Sequence, residues 1–281
     1  MKNIGLTMVM LVIGSMAWAY ERIVSIAPSF TDIIITLGAE SKLIGVSNQC
    51  IVPEDISIER IGDFGSINKE KIYSLQPDLV ITSDGMQIRF AQELSRLGLT
   101  VQTLESNSID QITENIRLLG KLTDTLDQAE EMIKNINKKL QLIDDNASKL
   151  NTMDKPKVFI EIWNNPLTSV GRLSYIHEMV ERAGGLNIAG EIKEKYPRLN
   201  PEWIVMQKPE IIILGHESAS SEDGHTLVKN RTGWEQIPAV VNAEIHTDLP
   251  LEYFLQPGLH TIKGIMAFQD IIITYCNNKK P

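Results

Sequence analysis

Short, continuously apolar runs rich in β-branched residues recur along the chain at 22–27, 43–47, 79–82 and 101–104, and again at 158–163, 211–214 and 244–247. Such runs fit strands buried on both faces, and between them apolar positions fall at helical spacing. Strands that alternate with helices predict parallel sheets, one for each group of runs. Between the groups, Leu126, Ala129, Ile133, Ile136, Leu140, Ile143, Ala147 and Leu150 form one apolar stripe at alternating spacings of three and four, with no Gly or Pro from Thr123 to Thr152. At about 1.5 Å per residue this predicts a rod of roughly 40 Å, long enough to run past two globular units.

One stretch is written twice. Asn68, Glu70, Ile72, Pro77 and Asp78 recur 132 residues later as Asn200, Glu202, Ile204, Pro209 and Glu210, and Leu79-Val80-Ile81 recurs as Ile211-Ile212-Ile213. Each copy predicts a short helix that feeds a strand. Asn caps the helix start, Glu occupies the first turn where the helix dipole favours an anion, and Pro201 takes the preferred first position. The proline before Asp or Glu ends the helix. The duplication predicts an α/β protein of two lobes with mainly parallel sheets flanked by helices, joined by a single long backbone helix. The expected division is 1–19 signal peptide, 20–122 N-terminal lobe, 123–152 bridging helix and 153–281 C-terminal lobe.

The N-terminus changes the setting. Lys2, the apolar segment Ile4 to Met16 and Ala17-Trp18-Ala19 read as a secretory signal cleaved after Ala19, and no Cys follows to carry a lipid anchor. An exported, soluble, periplasmic and monomeric protein is expected. The full chain carries a formal net charge of −9, which excludes nucleic acid as a natural partner, since phosphate binding needs clustered Lys and Arg. The only cysteines, Cys50 and Cys276, fall in different halves. An oxidising compartment permits a bridge between them, but the sequence does not favour it. The other reading places Cys50 near the mouth of a cleft and Cys276 in helix packing.

In parallel α/β sheets ligands sit beyond the carboxyl ends of the strands, which selects 28–29, 48–50, 83–86, 163–172, 216–224 and 248–258. These loops contain no GxSxG elbow, no phosphate-cradling glycine loop and no HExxH pair. They offer aromatics beside amides, hydroxyls and a few charges, a mixture suited to holding a bulky ligand. A competing class, an exported hydrolase with Asp84, Asp248 or Glu161 as acid and base, lacks any assembled nucleophile and oxyanion site. No intrinsic cofactor is expected, and no spacing among the histidines resembles a zinc site.

The segments RIVSIAPSFTDIIITLGAESKLIGVSNQCIVPEDI, NKEKIYSLQPDLVITSDG, NPLTSVG, ERAGGLNIAGE and LQPGLH resemble the cobalamin, ferric siderophore and haem binding components of ABC importers. The resemblance spans essentially the whole mature chain and identifies the family better than the ligand. It implies a cobalt or iron chelate held between the lobes, a corrinoid first and a ferric siderophore or haem as runner-up, with an inner-membrane permease as partner. The positions it implies for ligand contact are Gln49, Phe64, Trp163, Tyr196, Asp248 and His260. A second set from the strand ends comprises Ser29, Asn48, Ser83, Asp84, Asn164, His216 and Tyr253. His260 stands where relatives commonly carry Arg, which opens direct coordination of the chelated metal by its imidazole. Glu70 and Glu202 match carboxylates that meet permease arginines in the cobalamin-binding member.

Overall fold

A computed structural model of the chain describes residues 19–150, 155–221 and 224–279. The expected signal peptide therefore lies almost wholly outside the described residues. The strands are β1 (Ile23–Ser25), β2 (Leu43–Val46), β3 (Glu59–Arg60), β4 (Gly62–Asp63), β5 (Ser66–Ile67), β6 (Leu79–Ser83), β7 (Val101–Leu104), β8 (Lys157–Glu161), β9 (Trp163–Asn164), β10 (Leu167–Thr168), β11 (Leu186–Asn187), β12 (Ile211–Leu214) and β13 (Ile245–His246). Two parallel sheets result, β3-β2-β1-β6-β7 in the first half and β11-β8-β12-β13 in the second. Each predicted apolar run overlaps one strand of the two parallel sheets. The two-residue edge strands β3 and β11 and the antiparallel hairpins β4-β5 and β9-β10 carry too few residues to show a period, and were not expected from the pattern.

The duplicated segment forms the same unit in each half. Helices Lys69–Ser74 and Pro201–Gln207 start at Asn68 and Asn200, whose side chains accept from the backbone N–H of Lys71 and Glu202, each at 2.8 Å. Directly before each proline the chain turns left-handed, at Gln76 (φ 49°) and Lys208 (φ 54°). A proline disfavours the right-handed helical region for the residue before it, so the helix stops there in both copies. The carbonyls this leaves over are taken by a cation from the start of the first strand. Arg22 donates through Nη2 to Leu75 O (2.6 Å) and through Nε to Gln76 O (3.2 Å), and Lys157 Nζ donates to Gln207 O (3.1 Å). The acid after the proline closes the clamp: Asp78 accepts from the N–H groups of Glu21 and Arg22, and Glu210 from that of Lys157.

The bridging helix is Leu126–Ser148, shorter than the expected 123–152. Its start is set back because Asp124 adopts φ 59°, which turns the chain sharply after helix Ile109–Leu122. Gly120 permits that turn, since a Cβ there would lie 3.1 Å from the carbonyl oxygen of Thr125. The stripe is buried at Ala129, Ile133, Ile136, Leu140 and Ile143, and opens at its ends, where Leu126 is 38% exposed and Ala147 and Leu150 are half-buried. It joins one buried cluster that includes Ile23, Phe30 and Leu79 of the first half and Val158, Ile211 and Phe268 of the second. Cys50 Sγ lies 3.1 Å from Thr31 Oγ1 and 3.2 Å from Ser47 Oγ, while Cys276 is half-buried on the C-terminal helix Leu259–Asn278; the two are not joined.

A charged group sits inside the second sheet. Glu161, fully buried at the end of β8, receives two bonds from Arg231 (2.5 and 2.7 Å) and lies 3.0 Å from His216 Nε2. Burial raises the pKa of this carboxyl, but the bonds from Arg231 and His216 outweigh burial and hold it below the ordinary value. Its contribution to stability is therefore complete above about pH 4.5, the ordinary glutamate value, and is lost as the pH falls below that towards the folded value. Arg231→Met should destabilise the fold by about 3–5 kcal/mol in denaturant unfolding, because it strands a buried charge. Glu161→Gln should flatten the acid limb of the stability–pH curve; an unchanged limb would assign acid unfolding to other groups.

Candidate functional site

Chain order within each sheet marks where a crevice opens. In the first sheet the chain leaves β1 for β2 on one side and later returns to β6 on the other; in the second it leaves β8 for β11 and returns to β12. Ligands in open parallel sheets bind outside the carboxyl ends at such switch points. The loops concerned are those after β1 (Pro28, Ser29), β6 (Ser83, Asp84), β8 (Trp163, Asn164) and β12 (Gly215, His216). The two edges meet: Asp84 Oδ2 lies 2.6 Å from Lys195 Nζ of the second half, and a Cβ on Gly258 would lie 3.3 Å from the Cβ of Ser29.

On the first edge, Asn48 and Gln49 both donate to Asp63 Oδ1, at 2.9 and 3.2 Å. Gln49 Oε1 accepts from the N–H of Phe64 (2.8 Å), whose carbonyl accepts from Gln87 Nε2 (3.3 Å), and Gln87 Oε1 accepts from the N–H of Ser83 (2.8 Å). Gln87 is fully buried. This chain of amides pins the β4-β5 hairpin to the β6 loop and fixes where the half-buried Phe64 stands. Gln49, Asn48, Phe64, Ser83 and Asp84 are thus brought together. Asp63 and Gln87 organise them and were not among the expected site residues: Gly62-Asp63-Phe64-Gly65 reads only as a turn presenting an aromatic, and Gln87 falls in no run or motif.

On the second edge, Trp163 is 52% and Tyr196 44% exposed. The Trp163 indole N–H donates to Asn165 O (2.8 Å), and Asn164 is paired with Leu167 in the β9-β10 hairpin. Burial raises the pKa of the Tyr196 phenol, a hydrogen bond with Ser174 opposes this, and the Asp84 carboxylate adds to the rise. Tyr196 therefore stands beside the Asp84–Lys195 pair. Asp248 lies exposed beyond β13, and Tyr253 is half-buried with its backbone carbonyl 3.4 Å from the Tyr175 hydroxyl.

Two histidines have other surroundings. His216 occupies the β12 switch point but is 3% exposed with Nε2 turned to Glu161, and its Nδ1 has no hydrogen-bond partner among the described residues. Its imidazole belongs to the buried charge cluster. That cluster also removes Glu161 as a hydrolytic acid or base, since both oxygens are held by Arg231. His260 Nε2 lies 3.6 Å from Asp32 Oδ2 and lines a hollow of about 530 Å³ with Met132 and Ile136 of the bridging helix and with Lys263 and Met266. Burial raises the pKa of Asp32, opposed by the charges of His260 and Lys263. His260 thus faces the seam of the bridging helix, two residues beyond the Gly258–Ser29 approach.

Glu70 and Glu202 are exposed in the first turns of the duplicated helices. Around Glu70 the flanking cations are engaged elsewhere, Lys69 with Glu93 (2.9 Å) and Lys71 with Glu59 (2.7 Å). Neither Glu70 nor Glu202 has an ion-pair partner within 4 Å among the described residues.

Residues 23–248 match the family model described as "Periplasmic binding protein". The chain is 26% identical over 260 residues to an uncharacterised ABC transporter substrate-binding lipoprotein, YvrC, of Bacillus subtilis, covering 90% of this chain and 80% of the relative. It is 24% identical over 248 residues to a vitamin B12-binding protein of Vibrio parahaemolyticus, covering 88% and 87%. It superposes with a TM-score of 0.78 at 26% identity on the crystal structure of a possible iron-binding, periplasmic solute-binding protein of Staphylococcus epidermidis, covering 91% of this chain and 99% of that one. The α/β architecture of two parallel sheets flanked by helices is that of these two-lobed proteins, which bind substrates and do not transform them. The match over 23–248 makes the chain a member of the periplasmic binding protein family, an extracytoplasmic substrate-binding protein and not an enzyme.

Proposed function

We propose that the chain is the substrate-binding component of an ABC importer, that it captures a metal chelate between lobes 20–122 and 153–281, and that it delivers the chelate to a permease. The preferred cargo is a corrinoid. The observation that carries this reading is the pairing of two half-exposed aromatic faces, Trp163 and Tyr196, with an amide-lined edge built from Asn48, Gln49 and Phe64. A corrin ring offers broad apolar faces and a rim of acetamide and propionamide groups, which match aromatic faces and side-chain amides respectively. Aromatic side chains of this kind bury about 150–250 Å² each and dominate contact energy. The vitamin B12-binding relative supports the same choice. Export would follow cleavage of the signal peptide after Ala19, into the periplasm.

Glu70 and Glu202 are the proposed permease contacts. Unpaired carboxylates, one on each repeated helix, fix orientation on a two-sided partner and raise the encounter rate with a basic surface. The neighbouring side chains Tyr73 and Met206 are 56% and 69% exposed and lie one turn further along those helices, where they can add apolar contact.

Calorimetry at micromolar protein should record cyanocobalamin binding, and Trp163→Ala should weaken it by about thirtyfold, the loss typical of a central aromatic contact. No heat from cyanocobalamin would remove the corrinoid reading. A Soret band on reconstitution with haemin would then put the runner-up in its place, and a change in that band on His260→Ala would be needed to keep His260 as a metal ligand. Replacing Glu70 and Glu202 together by Ala should leave the dissociation constant of the cargo unchanged and cut transport in reconstituted vesicles at least severalfold, on the order of the loss when charged contacts leave an interface. Lost ligand binding in that variant would return both residues to a purely structural role.

A further inference from the structure

The segment before Tyr196 carries a cation to the switch-point crevice, and both backbones that hold the pair are fixed. On the second half, Gly171 N donates to Lys195 O (2.9 Å), Arg172 N to Ile192 O (2.9 Å) and Ser169 N to Pro197 O (3.0 Å), so 192–197 lies as a ledge against 169–172. The approach needs a glycine, because a Cβ on Gly171 would lie 2.8 Å from Ile192 O. On the first half, Asp84 N donates to Leu104 O (3.0 Å) and extends the β6-β7 ladder by one residue. The ion pair therefore spans the crevice between two rigid supports, at 2.6 Å, with the side chains of Lys195 and Asp84 38% and 23% exposed.

An ion pair this accessible to water contributes little to stability, so opening it is cheap while solvent is present. Once a bulky ligand fills the crevice the balance changes. Water leaves, and an ammonium without an anionic partner becomes costly. We propose that Lys195 is the anion-recognising residue of the cleft: Asp84 holds its ammonium in the ligand-free protein, and an anionic oxygen of the cargo, from a phosphodiester or a carboxylate, takes the place of Asp84 as the ligand seats. Asp84 then acts as a competitor that favours chelates bearing an anionic oxygen, whatever their net charge, over chelates that have none and leave the Asp84–Lys195 pair in place. The inference rests on the cleft being the ligand site and deepens that reading by naming a charge requirement.

Two variants separate this exchange from a simple latch. With cyanocobalamin, which carries a phosphodiester, and with haemin, which carries two carboxylates, Asp84→Asn should tighten binding by about two- to fivefold, the range of an exposed ion pair. Lys195→Gln should weaken it by about tenfold or more, as the loss of a charge-assisted hydrogen bond does. If both variants tighten binding alike, the pair is only a latch and the anion role is overturned. The ligand preferred by Lys195 follows from which of the two probes responds to Lys195→Gln.

A second measurement does not depend on either cargo. Inorganic phosphate should shift the side-chain ammonium NMR signal of Lys195 in Asp84→Asn at a lower concentration than in the wild type, with the exposed Lys193 as the control. Equal shifts at Lys193 and Lys195, or none at Lys195 in either protein, would overturn the proposal. Absence of binding by both cyanocobalamin and haemin to the wild type would instead sink the cargo reading, while the phosphate titration still decides the role of Lys195.

Discussion

A cation at the start of the first strand, closing the carbonyl end of a helix that comes about fifty residues later, is the contact on which each lobe is built. Arg22 does this for the helix ending at Ser74, and Lys157 for the helix ending at Gln207. The last carbonyls of any helix lack intrahelical partners, and a positive side chain there satisfies both their hydrogen bonding and their partial negative charge. Asp78 and Glu210 then accept from the backbone at the same strand start, so helix, turn and central strand are locked in register. The consequence reaches both ends of the unit. One end fixes where Glu70 and Glu202 project, and the other fixes the strands β6 and β12 whose far ends open the crevice.

This explains why the duplication was the most legible feature of the sequence and why it was legible only in part. The helix caps, the prolines and the apolar strands are local, so their spacing survives as a constant offset of 132 residues. The cations that complete the clamp sit 135 residues apart, outside that offset, because they lie on a different strand from the repeated segment. Periodicity finds what one segment does alone. It does not find a partner contributed by another strand.

The same distinction separates the crevice residues that strand-end position selects from those that only the fold brings beside them. Strand-end position puts Asn48, Gln49, Ser83, Asp84 and Trp163 at the carboxyl ends of the strands, because in a parallel sheet every strand presents its carboxyl end on one side. It could not foresee that Asp63 and the buried Gln87 hold those residues in place, since a polar residue in a short hairpin or turn carries no periodic signal. His216 shows the converse failure. Its position at the β12 switch point is what a ligand-facing residue would have, yet the sequence gives no hint that Glu161 and Arg231 draw its ring into the sheet. The charge cluster is made of residues up to 70 positions apart, and only the fold brings them together.

The bridging helix limits how these edges can move. Its stripe is used up by the chain itself, with Ile133, Ile136 and Leu140 inside a buried cluster that takes residues from both sheets. Separating the lobes by a wide hinge would require exposing part of that shared core or bending a helix with no Gly or Pro between Leu126 and Ser148. At about 25 cal/mol per Å² of apolar surface, exposing even a few such side chains costs several kcal/mol. Opening and closing of the crevice is therefore confined to elements outside the shared core. Those are the short hairpins β4-β5 and β9-β10, which carry Phe64 and Trp163, and the half-exposed pairs such as Asp84–Lys195 that join the two edges through solvent-accessible side chains. Selectivity in such a molecule has to come from the chemistry of those side chains, because the scaffold behind them has little freedom to adapt.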